Sequence, residues 1–240
     1  MARRKKKNNL NKILVLVLLF LASYFAYYFK DEWIKYSEGS NKTAQNISKE
    51  EIPDYSGEAY IYLNENVPEF SDDEKTTKSF EYYSNLDDLG RCGVAFANVS
   101  VDTMPTEERE SIGQIKPSGW HTVKYDIVSG GYLYNRCHLI GYQLTGENAN
   151  EENLITCTRY MNATTMLQFE TEVASYVEET GNHVLYRVTP YFDGDNLVAT
   201  GVQMEAYSVE DNGELQFNVF VYNVQPGIMI DYATGDSSLE

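Results

Sequence analysis

Three alternating segments in the last third of the chain constrain its fold most. Apolar and polar residues alternate along residues 183–192 and 197–209, and again along residues 215–224. A period of two is typical of strands that bury one face and expose the other. The Asn212-Gly213 pair between the last two segments is a strong hairpin signal. The sequence therefore predicts an antiparallel sheet of consecutive strands, which acts as a scaffold.

The middle of the chain carries further strand signals. Residues 93–101 form an apolar run typical of a strand. Residues 121–128 and 131–140 predict a strand pair joined at a Ser-Gly-Gly turn, with a long loop after it. Residues 105–110, which start with a proline and are rich in glutamate, predict a capped helical turn.

A helix is predicted after that loop. From Arg159 to Glu179 the apolar residues recur at helical spacing, and Gly181 is a natural helix stop. Because 42% of the 240 residues are hydrophobic, the chain can bury one sizeable core. The predicted class is α+β with a central antiparallel sheet, plus a transmembrane helix at the amino terminus.

The amino terminus predicts membrane attachment. Residues 1–12 are basic, residues 13–29 are apolar over about the length that crosses a bilayer, and residues 30–57 are polar without periodicity. We interpret these as a cytoplasmic tail, a transmembrane signal-anchor and a linker to a domain at 58–240. The positive flank should remain in the cytoplasm, which puts the domain outside the cell. The competing interpretation is a cleaved signal peptide and a secreted domain.

The chain has three cysteines, so at most one intrachain disulfide can form. We predict the pair Cys92–Cys137, since an extracellular location permits a bridge. The alternative is that these two and Cys157 are all small buried residues without a bridge.

The segment Tyr134-Asn135-Arg136-Cys137-His138 carries the clearest chemistry. Neutral imidazole can accept a proton from water, and Arg136 shares a strand face with His138. The planar guanidinium of arginine matches a phosphate group. Cys137 points to the opposite face from His138, which excludes a cysteine-protease pair of these two residues.

Oxygen ligands for a cation follow downstream. Asn162 and Glu170 are candidates for a hard ion such as magnesium. On one straight helix they would lie about 12 Å apart, so either the helix breaks around residues 163–165 or Glu170 acts through a metal-bound water. Asn153 either holds a loop or polarises a group near the metal. Local sequence also fits a helix cap for Asn162, a solvent-facing Glu170 and a turn residue at 153.

Charge argues against a general affinity for nucleic acid. The net charge is −17, and from residue 31 onward 12 basic and 36 acidic side chains give −24. Such a surface repels phosphates unless cations gather locally. We expect Lys116, Lys124, Arg136 and Arg159 to gather at the site.

These motifs together resemble one known family. The residues are Asn135 to His138, Asn153 to Thr156, Thr158 to Asn162 and Phe169-Glu170. They are similar to motifs of the DNA/RNA non-specific endonucleases, which are ββα-metal or His-Me finger enzymes, and most similar to the membrane-anchored, cell-surface EndA-type branch. The resemblance runs from about Tyr60 to Tyr232, so it covers the whole domain at 58–240.

The resemblance implies a magnesium-dependent hydrolase, with manganese as a possible substitute, that cleaves DNA and RNA. It implies His138 as the general base, Asn162 as the direct metal ligand and Glu170 as the carboxylate that holds the hydrated metal. Arg136 and Asn153 would shape the site, with Arg159, Lys116 and Lys124 contacting substrate.

Three positions depart from the family pattern. Asn135 and Cys137 stand where relatives have Asp and Gly in Asp-Arg-Gly-His, and Ala174 stands where an arginine often follows the metal-site glutamate. They favour a competing interpretation, a weakly active or inactive surface protein that binds nucleic acid, a cell-wall polymer or a protein. A secreted nuclease toxin is a further alternative.

Overall fold

The computed structural model describes residues 52–240. The predicted cytoplasmic tail, the anchor and most of the linker lie outside these residues. Within 52–240, no helix combines the length and the apolar character needed to cross a membrane.

Ten strands and two α-helices make up the described part of the chain. The strands are β1 (Tyr60–Tyr62), β2 (Phe80–Tyr83), β3 (Ala95–Val99), β4 (Tyr134–His138), β5 (Leu154–Thr158), β6 (Val184–Tyr191), β7 (Gly201–Ser208), β8 (Gln216–Tyr222), β9 (Ile228–Ile230) and β10 (Ser237–Leu239). The helices are α1 (Tyr142–Thr145) and α2 (Leu167–Thr180), with 3₁₀ turns at Asn64–Asn66 and Glu151–Asn153 and a π-helical segment at Met161–Met166.

The central sheet has six strands in the order β1-β8-β7-β6-β3-β2, and every neighbouring pair is antiparallel. Strands β6, β7 and β8 follow one another as the alternating segments predicted. Asn212 and Gly213 adopt positive φ angles of 60° and 89° in the β7–β8 turn, which suits that residue pair. The prediction of an α+β domain with a central antiparallel sheet is therefore confirmed.

Helix α2 packs its apolar stripe against this sheet. Phe169, Val173 and Val177 are buried in the main core, and the Phe169 ring lies 5.0 Å from the ring of Phe217 on β8. The helix ends where Gly181, at φ 73°, donates its N–H to the Val177 carbonyl. The helix stop predicted at this glycine is correct.

Strands β4 and β5 form a separate two-stranded ribbon that leads through the π-helical segment into α2. The strand pair predicted from residues 121–128 and 131–140 is wrong, because the first of these makes only a single bridge, Lys124 to Tyr132. Consecutive tight turns at residues 125–131 consume the backbone groups that a longer ladder would need. The result is a ββα unit beside the main sheet.

Two further predictions need correction. Residues 105–110 form no helical turn but an irregular segment that lies over His138. The disulfide joins Cys137 to Cys157, with Cα atoms 5.9 Å apart on the paired strands β4 and β5. Cys92 is a free buried thiol whose sulfur lies within hydrogen-bond distance of the carbonyls of Glu151 and Leu154.

Candidate active site

His138 lies at the end of β4 with only 6% of its surface exposed, and contacts involving both ring nitrogens fix its orientation. Nε2 lies 2.7 Å from the backbone carbonyl of Asn148, and Nδ1 lies 3.3 Å from an Arg109 guanidinium nitrogen. A carbonyl oxygen only accepts, so Nε2 carries the proton in this arrangement. The lone pair of the neutral imidazole is therefore on Nδ1, facing Arg109.

Its surroundings also keep His138 neutral. The pKa of His138 is lowered to about 4, mainly by burial and also by the positive charge of Arg109, while the hydrogen bond to Asn148 opposes both. The imidazole is thus uncharged at neutral pH and can accept a proton.

Glu170, in the first turn of α2, supplies a carboxylate to the same region. Burial raises the pKa of Glu170 to about 8, and the nearby charge of Arg109 opposes this rise. The carboxylate packs so closely on the backbone that a Cβ on Gly141 would come within 2.8 Å of it. Arg109 therefore exerts its charge on both the candidate base and the candidate metal-site acid.

A buried tyrosine hydroxyl lies within the electrostatic field of this carboxylate. Tyr186 on β6 is fully buried, and its hydroxyl has no hydrogen-bond partner among residues 52–240. Burial raises the pKa of Tyr186, and the charge of Glu170 raises it further, so the two groups lie in each other's field. A buried hydroxyl without a partner in the protein can hydrogen-bond a water molecule.

Asn162 lies in the π-helical segment between β5 and α2, where it lines a cavity that Arg109 also borders. Its side-chain amide makes no hydrogen bond within the described chain, so its oxygen can serve as a ligand. The helix widens at Met161–Met166 without breaking, so the broken-helix alternative is not what the fold adopts.

The donor set fits a hard divalent cation. No group of three or more His, Cys, Asp or Glu side chains is arranged to hold a metal within residues 52–240. Asn162 and Glu170 offer amide and carboxylate oxygens, which magnesium accepts when water and substrate phosphate complete its shell.

The cavity has a volume of about 510 Å³ and collects positive charge. Arg109, Arg136 and Arg159 line it together with Asn135, Asn162 and several aromatic side chains. Elsewhere in residues 52–240, Lys75, Arg91 and Arg187 pair with carboxylates. Three of the nine cations within residues 52–240 therefore line one cavity of an acidic domain.

The two predicted lysines differ in position. Lys124 holds its ammonium 4.3 Å from the centre of the Tyr132 ring, which lines the cavity. Lys116 is exposed and does not line the cavity.

Arg136 fastens the loop that carries Arg109. Its guanidinium stacks 4.0 Å from the Trp120 ring and donates to the carbonyls of Ile115 and Gly113. Two of its nitrogens are thus engaged with the loop, while its free N–H groups still line the cavity.

Asn153 acts on the turn after His138. It is fully buried, its Oδ1 accepts from the Ile140 N–H at 2.9 Å and its Nδ2 donates to the Ile140 carbonyl at 3.1 Å. Both ends of the amide are used in these two hydrogen bonds to Ile140, so Asn153 holds the loop, which is one of its two predicted roles.

Sequence reasoning missed Arg109. A single cation among Glu107, Glu108 and Glu110 was the available signal, because an isolated arginine in an acidic run implies a specific partner. That partner, His138, lies 29 residues away in sequence, beyond any local pattern.

Comparisons with known proteins agree with this geometry. The family model for the DNA/RNA non-specific endonuclease matches residues 71–210. A crystal structure of NucA from Streptococcus agalactiae with magnesium bound is similar to this chain, with 25% sequence identity and a TM-score of 0.69. The match covers 85% of this chain and 95% of the NucA chain. The same protein with no metal bound is 26% identical, with a TM-score of 0.68 over 85% and 96%.

The Sda1 nuclease with a bound zinc ion shares the fold, at 23% identity and a TM-score of 0.63 over 76% of this chain and 97% of that one. The family match spans more than half of the 240 residues, and it contains His138, Asn162 and Glu170. This chain belongs to the DNA/RNA non-specific endonuclease family.

Proposed function

We propose that the chain is a metal-dependent endonuclease that hydrolyses phosphodiester bonds of DNA and RNA outside the cytoplasm. The observation that carries the proposal is the fixed tautomer of His138. Its Nε2 is held by the Asn148 carbonyl, and the lone pair on Nδ1 faces Arg109, which lines the cavity together with Arg136 and Arg159.

In this mechanism, His138 Nδ1 accepts a proton from the water that attacks phosphorus. Asn148 keeps the ring oriented and accepts the Nε2 hydrogen bond throughout, so the imidazolium that forms is stabilised. Burial favours the neutral form of the imidazole, so the base is unprotonated before the reaction.

Arg109 has to leave Nδ1 before water can approach it. A substrate phosphate accepts stronger, charge-assisted hydrogen bonds from guanidinium than neutral imidazole does. We expect substrate binding to turn Arg109 from His138 to the phosphate, which exposes the base and adds positive charge at the reacting group. Arg159 and the free donors of Arg136 line the same groove and can contact flanking phosphates.

Asn162 would hold the metal directly, and Glu170 would hold it through water. When bound, the cation neutralises phosphate charge and stabilises the leaving oxygen. Magnesium is proposed because the donors are oxygens, with manganese as a substitute. The magnesium in NucA and the zinc in Sda1 support a divalent ion in general.

Action on both DNA and RNA follows from the same groups. They contact phosphate oxygens and carry no information about the base. We also propose that residues 13–29 anchor the chain in the membrane through a cytoplasmic tail at 1–12, with a linker at 30–57 and the nuclease domain at 58–240 outside. Cleavage after the apolar segment would give a secreted form.

The test is a plasmid-nicking and RNA-cleavage assay on the purified full-length chain with magnesium, with manganese and with a chelator. We expect metal-dependent cleavage of both substrates and a loss of at least about 100-fold in His138→Ala, the size of a general-base contribution. His183→Ala is the matched control, because His183 pairs with Glu210 outside the groove. Full activity of His138→Ala would refute the base, and a folded chain that binds but never cleaves would favour the inactive binding protein.

A further inference from the structure

The cavity beside the candidate active site contains an aromatic wall that the hydrolysis does not use. Trp120, Tyr132 and Tyr134 line it together with the arginines. Cleavage of a phosphodiester needs a base, a cation and phosphate contacts, and none of these roles requires an aromatic ring. An aromatic wall of this kind suits a ligand with a flat apolar face.

Two of the three aromatic side chains are held in place by contacts within the protein. Tyr134 is 3% exposed and donates its hydroxyl to the Gly235 carbonyl. Trp120 packs into the small core beneath the cavity, and the Arg136 guanidinium lies 4.0 Å from its ring. These two side chains build the wall and hold Arg136 flat.

Tyr132 is different because 46% of its surface is exposed although its ring lines the cavity. Tyr132, Tyr134 and Arg136 are spaced by two residues, the spacing at which an extended chain presents side chains to one face. Lys124 holds its ammonium 4.3 Å from the ring centre, where it can also reach a neighbouring phosphate. An exposed ring beside cations is how single-stranded nucleic acid is commonly bound.

We propose that Tyr132 is a stacking platform for an unpaired nucleobase, so that the groove favours single-stranded over duplex nucleic acid. This rests on the proposed nuclease function. Arg136, held flat against Trp120, presents a second planar surface on the path to His138, since bases also stack on guanidinium planes. A base in a duplex is stacked on both sides, so it reaches Tyr132 only after unpairing, which costs a few kcal/mol.

The position of Tyr132 sets where the stacked base lies relative to the cleaved bond. Six residues separate Tyr132 from His138, which is about 20 Å for an extended chain. At the rise of about 3.4 Å per nucleotide of a stacked strand, this corresponds to at most about six nucleotides. The stacked base therefore lies within about six positions of the cleaved bond, on one side of it.

The experiment measures binding without cleavage. The full-length chain in chelator is titrated with a fluorescent single-stranded 12-nucleotide DNA and with the same sequence as a duplex. We expect Tyr132→Ala to weaken single-strand binding by about 5- to 100-fold and Tyr132→Phe to stay within about twofold, because only the ring is needed. Tyr62→Ala is the matched control, because Tyr62 is 59% exposed on β1 and does not line the cavity.

A second arm locates the base. One abasic site is moved along the oligonucleotide, and we expect a single position at which it weakens wild-type binding but no longer weakens Tyr132→Ala. Unchanged binding by Tyr132→Ala, a Phe variant as weak as the Ala variant, or equal abasic effects in both proteins would each overturn the proposal. Failure of the nuclease function is read separately, as an absence of metal-dependent cleavage by the wild type.

Discussion

Gly141 determines where the Glu170 carboxylate can sit, and Gly141→Ala tests this directly. The glycine precedes α1 with φ −58° and ψ 143°, a backbone conformation that alanine also adopts. An added Cβ would stand 2.8 Å from the Cδ and Oε2 atoms of Glu170. Ordinary contact begins at 3.4 Å, so the carboxylate has to retreat by about 0.6 Å.

We expect this shift to affect metal binding more than folding. Displaced supporting groups typically cost about 10- to 100-fold in metal affinity. The clash involves the free end of a flexible side chain, which can move. Alanine also lowers the conformational entropy of the unfolded chain, which stabilises the folded state by about 0.4–1 kcal/mol. The melting temperature without metal should therefore stay close to that of the wild type.

The assay is a magnesium titration read in two ways, by plasmid nicking and by the metal-dependent rise in melting temperature without substrate. Glu170→Ala provides the reference background. If Gly141→Ala acts only through Glu170, it should cost no further affinity in that background. Wild-type magnesium binding by Gly141→Ala, or additive losses in the double variant, would refute the reasoning.

Three other predictions follow from burial and connectivity. The pKa of Glu170 is raised to about 8, and the carboxyl group must lose its proton before it can hold a cation. The apparent magnesium affinity should therefore fall by up to about tenfold for each pH unit below 8. Glu170→Gln should flatten this pH profile, and a flat profile for the wild type would contradict the prediction. His138 has its pKa lowered from 6.5 to about 4, so the unfolded chain binds the extra proton in that window and the free energy of unfolding should drop as pH falls. The drop should be about 2 kcal/mol between pH 7 and pH 5 in urea denaturation, and an equal drop in His138→Gln would count against it. Cys157→Ala removes a disulfide that spans a sequence separation of 20, so the free energy of unfolding should fall by about 3 kcal/mol. If the unreduced, denatured wild type shows more than one reactive thiol, the bridge is absent.

The sequence predicted the scaffold because polar and apolar residues alternate along its strands, although most residues of β6, β7 and β8 are buried. Strands β6 to β8 alternate, and α2 ends at a glycine, so local patterns sufficed. By contrast, β5 is a short segment of five residues, Leu154–Thr158, and begins with two adjacent apolar residues, so no sustained alternation marks it as a strand. The partner of β4 was therefore assigned to the wrong segment.

The site divides in the same way. His138, Asn162 and Glu170 could be named from short motifs because each sits at a fixed spacing within the ββα unit. Arg109 could not, since its contact with His138 depends on how an irregular loop crosses the groove. The disulfide was misassigned because three cysteines allow three pairings and spacing alone does not choose among them.

The uneven charge of the domain has a consequence for how it moves on its substrate. Residues 52–240 carry 31 acidic and nine basic side chains, and three of the nine line a single cavity. A protein that slides along DNA needs a continuous positive track, whereas here the strand leaves the groove onto a repulsive surface. Each encounter should therefore end in one cut and release, so that a long polymer is shortened by scattered breaks and not digested from one point of attachment.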